Sequence, residues 1–307
     1  MPERCSMLEF KRLEYADIEH LRAVFERDNL ERTEAGIPLI CDNLFGTTFL
    51  WRGYYDTKWA RCGDSVVLLA SCEGTEMFSF PIGGDPRTAL AAIGEYAHGR
   101  GMNMYFCFVA EQNVPMFGEV FDVVFPSEEP DWSDYVYDRT EISELSGRKF
   151  HGQKNFVNRF GKMHPDAEII PMTAANAAMM ANFVAKWDEL YSDGSKMAAA
   201  ELSAICDLAE HWDELGLSGA ILTAGGETAG FTVGEIVGDT VFVHFEKAMQ
   251  DMPGAYQYLS TGYLRSLDAP YVKFVNREED MGIPGLRQSK SSLHPVKKLK
   301  KYTVFCC

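Results

Sequence analysis

The stretch richest in groups that can do chemistry is 271–290, YVKFVNREEDMGIPGLRQSK. An apolar run ends and Asn276, Arg277, Glu278, Glu279 and Asp280 arrive together, followed by Gly282 and Gly285 around Ile283-Pro284. Unpaired charges are too costly to bury, so these side chains must reach water, a partner or a ligand. A helix is expected to start near Pro284 and to carry Arg287 and Lys290 on one face. Glu279 and Asp280 would suit an ammonium group, while Arg277, Arg287 and Lys290 would suit a carboxylate or phosphate. The plain alternative is a solvated charged turn.

A second stretch, 241–258, VFVHFEKAMQDMPGAYQY, reads as a strand followed by a helix start. Phe242, His244 and Glu246 alternate onto one side of the strand. Glu246, at its end, or Glu278 could orient or deprotonate an acceptor as a catalytic carboxylate, with Tyr256 among the substrate-binding residues. His244 reads more simply as a core or edge histidine. Acetyl-CoA enzymes bind pyrophosphate with a Q/R-x-x-G-x-G/A loop at a helix start. The nearest match here is Gln250–Ala255, where Pro253 has no N–H to donate and Asp251 adds negative charge. The corresponding first-half turn, Gly83-Gly84-Asp85, is also acidic. Ordinary acetyl-CoA is therefore not expected as the cofactor.

The third stretch is 147–162, GRKFHGQKNFVNRFGK, which is basic without a single acid. Arg148, Lys149, Lys154, Asn155, Asn158 and Arg159, interleaved with phenylalanines, are candidate contacts to RNA or phosphate. The competing reading is an amphipathic interdomain helix whose bases pair with the acidic segment before it. Residues 107–146 hold ten acids against Arg139 alone. Lys290, Lys297, Lys298, Lys300 and Lys301 form a last basic cluster, which reads either as a solvated face with a snorkelling terminus or as a patch for a phosphate-rich ligand.

Two similar series of elements must position these groups. The first runs from a strand over 8–13 and a helix over 17–28, through strands at 65–71 and 76–81, to a helix capped by Asp85 and a strand over 104–109. The second runs from a strand over 167–171, through helices ending near Leu215, to strands at 219–224, 229–237 and 240–245. A helix over 254–267 and a strand over 271–276 complete it. The expected domains are 1–135 and 166–307, joined by a basic crossover segment over 136–165. The order strand, helices, antiparallel meander, helix, strand is that of the GNAT acyltransferase fold, although periodicity alone also admits other α+β folds.

The chain has 307 residues, 46% hydrophobic and 24% charged, as expected for about two globular domains. Its net charge of −16 opposes wholesale attraction to nucleic acid or anionic membrane, so any such contact must use a local basic patch. No apolar run is long enough for a transmembrane helix, and the start lacks a secretory h-region, so a cytoplasmic protein is expected. The eight cysteines form no C-x-x-C, which argues against a metal site and for reduced thiols, with the Cys306-Cys307 end frayed. Walker, dinucleotide, serine-hydrolase and zincin signatures are absent.

The stretches LSGRKFHGQKNFVNRF, HFEKAMQDMPGAYQYL and FVNREEDMGIPGLRQSKSSLHPVKKLKKY, in that order, resemble the bacterial phosphatidylglycerol lysyltransferase C-terminal family. The resemblance implies a mixed α/β (α+β) fold of tandem GNAT-like domains, two mixed sheets flanked by helices. It also implies kinship with Fem-type transferases, which move an amino acid from aminoacyl-tRNA. The expected activity is thus acyl- or aminoacyl transfer to the amine or hydroxyl of a small-molecule acceptor. Aminoacyl-tRNA or an acyl-CoA would be the donor, tRNA a partner, and no metal would be needed. The alternative is a non-catalytic protein that holds an amino-acid-like molecule on the same scaffold.

Overall fold

Burial follows the spacing read from the sequence. In the computed structural model, which describes residues 8–307, Ile18, Leu21, Val24 and Phe25 turn inward from α1 (Ile18–Glu34), which follows the short strand β1 (Lys11–Arg12). After α2 (Phe45–Leu50), the strands β2 (Lys58–Cys62), β3 (Ser65–Cys72) and β4 (Thr75–Phe78) form an antiparallel meander. Helix α3 (Pro86–Arg100) starts where Asp85 accepts the N–H groups of Arg87 and Thr88 at 3.3 and 3.2 Å, and ends at Gly101, whose φ of +63° suits a residue without Cβ. It delivers β5 (Met104–Ala110) parallel to β4, and α4 (Val114–Phe117) and β6 (Val124–Glu128) follow. Leu90, Ile93, Phe78, Phe106 and Phe117 fill the core of this unit.

The second unit repeats the plan. It opens with β7 (Asp134–Asp138), α5 (Arg139–Glu144), α6 (His151–Met163) and β8 (Glu168–Pro171). Helices α7 (Ala177–Tyr191), α8 (Lys196–Glu210) and α9 (Trp212–Leu215) precede the meander β9 (Ser218–Ala224), β10 (Glu227–Val237) and β11 (Thr240–Ala248). Helix α10 (Ala255–Ser266) crosses over to β12 (Phe274–Asn276), parallel to β11. Last come α11 (Pro284–Ser291), β13 (Lys297–Leu299) and β14 (Lys301–Cys306). The two mixed sheets run β1-β2-β3-β4-β5-β14-β6 and β8-β9-β10-β11-β12-β7-β13.

The units do not follow the expected boundaries. One comprises the chain up to Asp134 with Leu299–Cys307; the other is Tyr135–Lys298. The slot beside the parallel strand is filled by β14 in the first sheet and by β7 in the second. Residues 136–165, expected as a crossover, are integral strand and helix of the second unit. The chain end is no frayed tail: Val304 and Cys306 are buried in β14. Lys301, expected in a solvated basic cluster, is fully buried, 2.5 Å from Asp42 and 2.7 Å from Asp134. Such long-range pairings leave no local periodic signal. Six cysteines are free, but Cys62 is disulfide-bonded, against the expectation of reduced thiols throughout; Cys5 lies outside the described residues. The strand expected over 271–276 begins only at Phe274, and that over 8–13 only at Lys11. Among the described residues no helix is long and apolar enough to cross a membrane.

Candidate functional site

The parallel ladder between β11 and β12 is short. It pairs Thr240 with Phe274, Val241 with Val275 and Phe242 with Asn276, and β11 then continues to Ala248 without it. Beyond that fork, two ionic contacts replace the backbone bonds. His244 Nδ1 lies 2.8 Å from Glu278 Oε1, and Arg277 donates from Nη2 to Glu246 Oε1. His244 Nε2 also meets Glu235 of β10 at 3.3 Å. Burial alone would push this imidazole down, but the hydrogen bonds and charges of the two glutamates outweigh it and raise it to about 9.

The turn after β12 is held by its own side chains. Buried Asn276 accepts the Glu278 N–H at 2.8 Å, and Glu278 itself takes φ +56°. Asp280, fully buried, accepts from Tyr135 Oη at 2.5 Å, from Arg287 Nε and Nη2 at 3.0 and 2.7 Å, and from the Gly282 N–H at 2.9 Å. The Arg287 hydrogen bond dominates, and despite burial the carboxyl is held down at about 2. Lys290 donates to the carbonyls of Arg277 and Glu279. Arg287 and Lys290 thus face the turn, as the spacing predicts, but their visible partners are the turn itself.

In front of the fork lies a cavity of about 630 Å³, within the usual range for small-molecule pockets. Glu246, Arg277 and Tyr256 line it; Asn276, Glu278, Glu279, Asp280, Arg287 and Lys290 do not, and form its support. Glu246 is the distinctive group: its side chain is 7% exposed, and Oε2 accepts no hydrogen bond. Directly across the antiparallel ladder, Thr232 Oγ1 is likewise buried and unpartnered. Burial pushes the Tyr256 phenol up. Trp187 and Lys247 also line the cavity; Lys247 sits 4.2 Å from the indole centroid and 2.7 Å from Glu201. Thr232, Trp187 and the Glu235–His244 contact escaped the sequence reading. Only the alternation placing His244 beside Glu246 hinted at the last.

Arg148, Lys149, Lys154, Asn155, Asn158 and Arg159 are all exposed on α6 and the turn before it. Lys149 pairs with Glu141 at 2.6 Å. The helix docks through Phe160, which packs on Tyr258 of α10. The N-terminus of α10, where a pyrophosphate would be expected to sit, is crowded by α6. A Cβ on Gly254 would lie 2.4 Å from the Phe156 carbonyl oxygen.

Residues 38–305 match the family described as phosphatidylglycerol lysyltransferase, C-terminal. The chain belongs to this family. Its tandem GNAT-type units are the fold of solved structures it resembles. A conserved protein of unknown function from Bacteroides thetaiotaomicron is 28% identical with a TM-score of 0.87, over 98% of this chain and 100% of that one. L-PGS from Bacillus licheniformis superposes with a TM-score of 0.60 at 14% identity, covering 82% of this chain and 84% of that one. A tandem GNAT protein from the clavulanic acid biosynthesis pathway gives 0.51 at 11% identity, with 97% and 98% covered. A relative in Mycoplasmoides gallisepticum is 26% identical over 176 residues, 56% of this chain, and the match spans 56% of that relative's length.

Proposed function

We propose that the second unit transfers an activated amino acid from an ester donor, of the aminoacyl-tRNA kind, to the amine or hydroxyl of a small acceptor. The observation that carries this reading is Glu246, a buried cavity-wall carboxylate with one oxygen on Arg277 and the other unpartnered. A buried acceptor atom without a donor is costly unless a ligand completes it. The α-ammonium group of an aminoacyl ester supplies such a donor. Arg277 holds Glu246 and stands beside the ester carbonyl, where its guanidinium offsets the negative charge that develops on the oxygen. The acceptor attacks the carbonyl carbon, the ester C–O bond breaks, and the acceptor's proton ends on the leaving ribose oxygen. The exposed bases Arg148, Lys154 and Arg159 would meet the donor's phosphates.

The test is transfer from tRNA charged with radiolabelled amino acids, in the presence of a metabolite extract as acceptor. Label should move to a product other than tRNA with the native protein and not with Glu246→Gln. Retention of the charged tRNA or amino acid without any product would assign the cavity to holding rather than transfer.

A further inference from the structure

The charges that line the cavity pair off. Glu246 takes Arg277, and Lys247 takes Glu201 of α8 at 2.7 Å. Among the described residues the rest of the lining is uncharged, and much of it is polar. Gln257, Ser260 and Thr261 follow Tyr256 along one face of α10, Ser289 comes from α11 and Gln153 from α6.

Gln153 is distinguished by its hydrogen bonds. Ser292 Oγ has a single hydrogen, and it donates that to the Ser289 carbonyl at 2.7 Å. Toward Gln153, 3.0 Å away, it can therefore only accept, so the amide nitrogen of Gln153 must be the atom that faces it. This fixes the orientation of the amide, and the other atom, Oε1, is an acceptor. It is buried and has no partner among the described residues. Glu246 Oε2 and Gln153 Oε1 are thus two buried acceptors on residues of one cavity, one charged and one neutral, and each is costly unless a ligand supplies a donor.

An amide oxygen is too weak a base to take a proton, so a donor bound at Gln153 keeps its hydrogen. That donor is a recognition group and not the attacking nucleophile, whose proton must leave. Gln153 also adjoins Lys154 on α6, the helix whose exposed bases are the proposed contacts to the phosphates of the donor. An amino acid esterified to a terminal ribose has a hydroxyl of this kind on the neighbouring carbon, and it survives the transfer unchanged.

Resting on the aminoacyl reading of Glu246, we infer that Gln153 is a specificity-determining residue that reads the sugar of the donor: its Oε1 accepts a hydrogen bond from the ribose hydroxyl beside the ester. The α-ammonium takes Glu246, and the sugar takes the neutral polar part of the wall. The cavity therefore selects a ribonucleoside ester over activated esters that lack the neighbouring hydroxyl.

Adenosine analogues that carry an amino acid in amide linkage at the 3′ position neither transfer nor hydrolyse, so they probe this site directly. Calorimetry on the full chain compares such analogues, bearing each proteinogenic amino acid in turn, with counterparts that lack the 2′-hydroxyl. For the amino acid that binds tightest, the native protein should favour the ribose form by about tenfold, the effect of leaving one buried acceptor unpaired. Gln153→Met should bring the ribose form down to the affinity of the deoxy form and leave the deoxy form unchanged, which also shows that the variant is folded. Glu246→Gln should weaken both forms. Equal affinity of the two forms for the native protein, with both weakened in Glu246→Gln, would overturn this inference and leave the aminoacyl reading standing; this comparison needs no Gln153 variant. Additive losses from removing the hydroxyl and from Gln153→Met would also overturn it, because the two groups would then not be partners. Failure of every analogue to bind, or binding indifferent to Glu246→Gln, would remove both.

Discussion

His244 offers the sharpest quantitative check on the fork between β11 and β12. Its side chain is 1% exposed and both ring nitrogens meet carboxylates, Glu235 and Glu278. The imidazole is raised from 6.5 to about 9. A group whose pKa is raised on folding stabilises the native state fully below its unfolded value, and that contribution is lost as the pH rises through the folded value. The window is therefore between pH 6.5 and about 9. At roughly 1.4 kcal/mol per pKa unit, the loss is on the order of 3 kcal/mol. Its origin is local: a neutral imidazole leaves two half-buried carboxylates facing each other across one ring. Urea denaturation of the native protein and of His244→Gln at pH 6.5, 8 and 9.5 measures it as the difference between the two curves. The native protein should lose about 3 kcal/mol more than the variant over this range. An NMR titration of the imidazole should give a midpoint well above that of a free histidine. Parallel pH dependences for the two proteins, or an imidazole that titrates near 6.5, would refute the reasoning.

Arg277→Met should destabilise the second unit by roughly 3 kcal/mol, because it strands the buried Glu246 carboxylate, and adding Glu246→Gln should restore much of that loss; chemical denaturation of the single and double variants checks it, and additive losses would argue against the pair. Binding to a charged tRNA should weaken with salt, and replacing Arg148, Lys154 and Arg159 together by Gln should flatten the slope by about 0.7 for each phosphate no longer neutralised. Lys149→Gln should do less, since Lys149 is already paired with Glu141; an unchanged slope in the triple variant would take α6 out of the donor site. Acetyl-CoA should bind no tighter than millimolar by calorimetry, because Pro253 offers no N–H and the Phe156 carbonyl oxygen crowds Gly254; a micromolar site, about −8 kcal/mol, would contradict this.

Much of the molecule is legible in its sequence, where the determining physics is local. The apolar spacing of Ile18, Leu21, Val24 and Phe25 sets the buried face of α1, and Asp85-Pro86 with Gly101 fixes both ends of α3. Alternation alone puts His244 and Glu246 on one side of β11, and mixed charge after an apolar run marks the turn at Asn276–Asp280. Sequence motifs over most of the chain also point to the family. Tertiary structure decided how these groups are used. Glu278 and Asp280 look as available as Glu246 on paper, but one lies against His244 and the other is held by Tyr135 and Arg287, partners 34, 145 and 7 positions away. Lys301 reads as a solvated base and is buried against Asp42 and Asp134, because β14 returns to a sheet built from the other end of the chain. The cavity that Glu246 faces combines side chains of α5, α10 and α11, which no local pattern links. Periodicity reports which side of an element is buried; it carries no information about what that side is buried against, and that determines which charge is left open for a ligand.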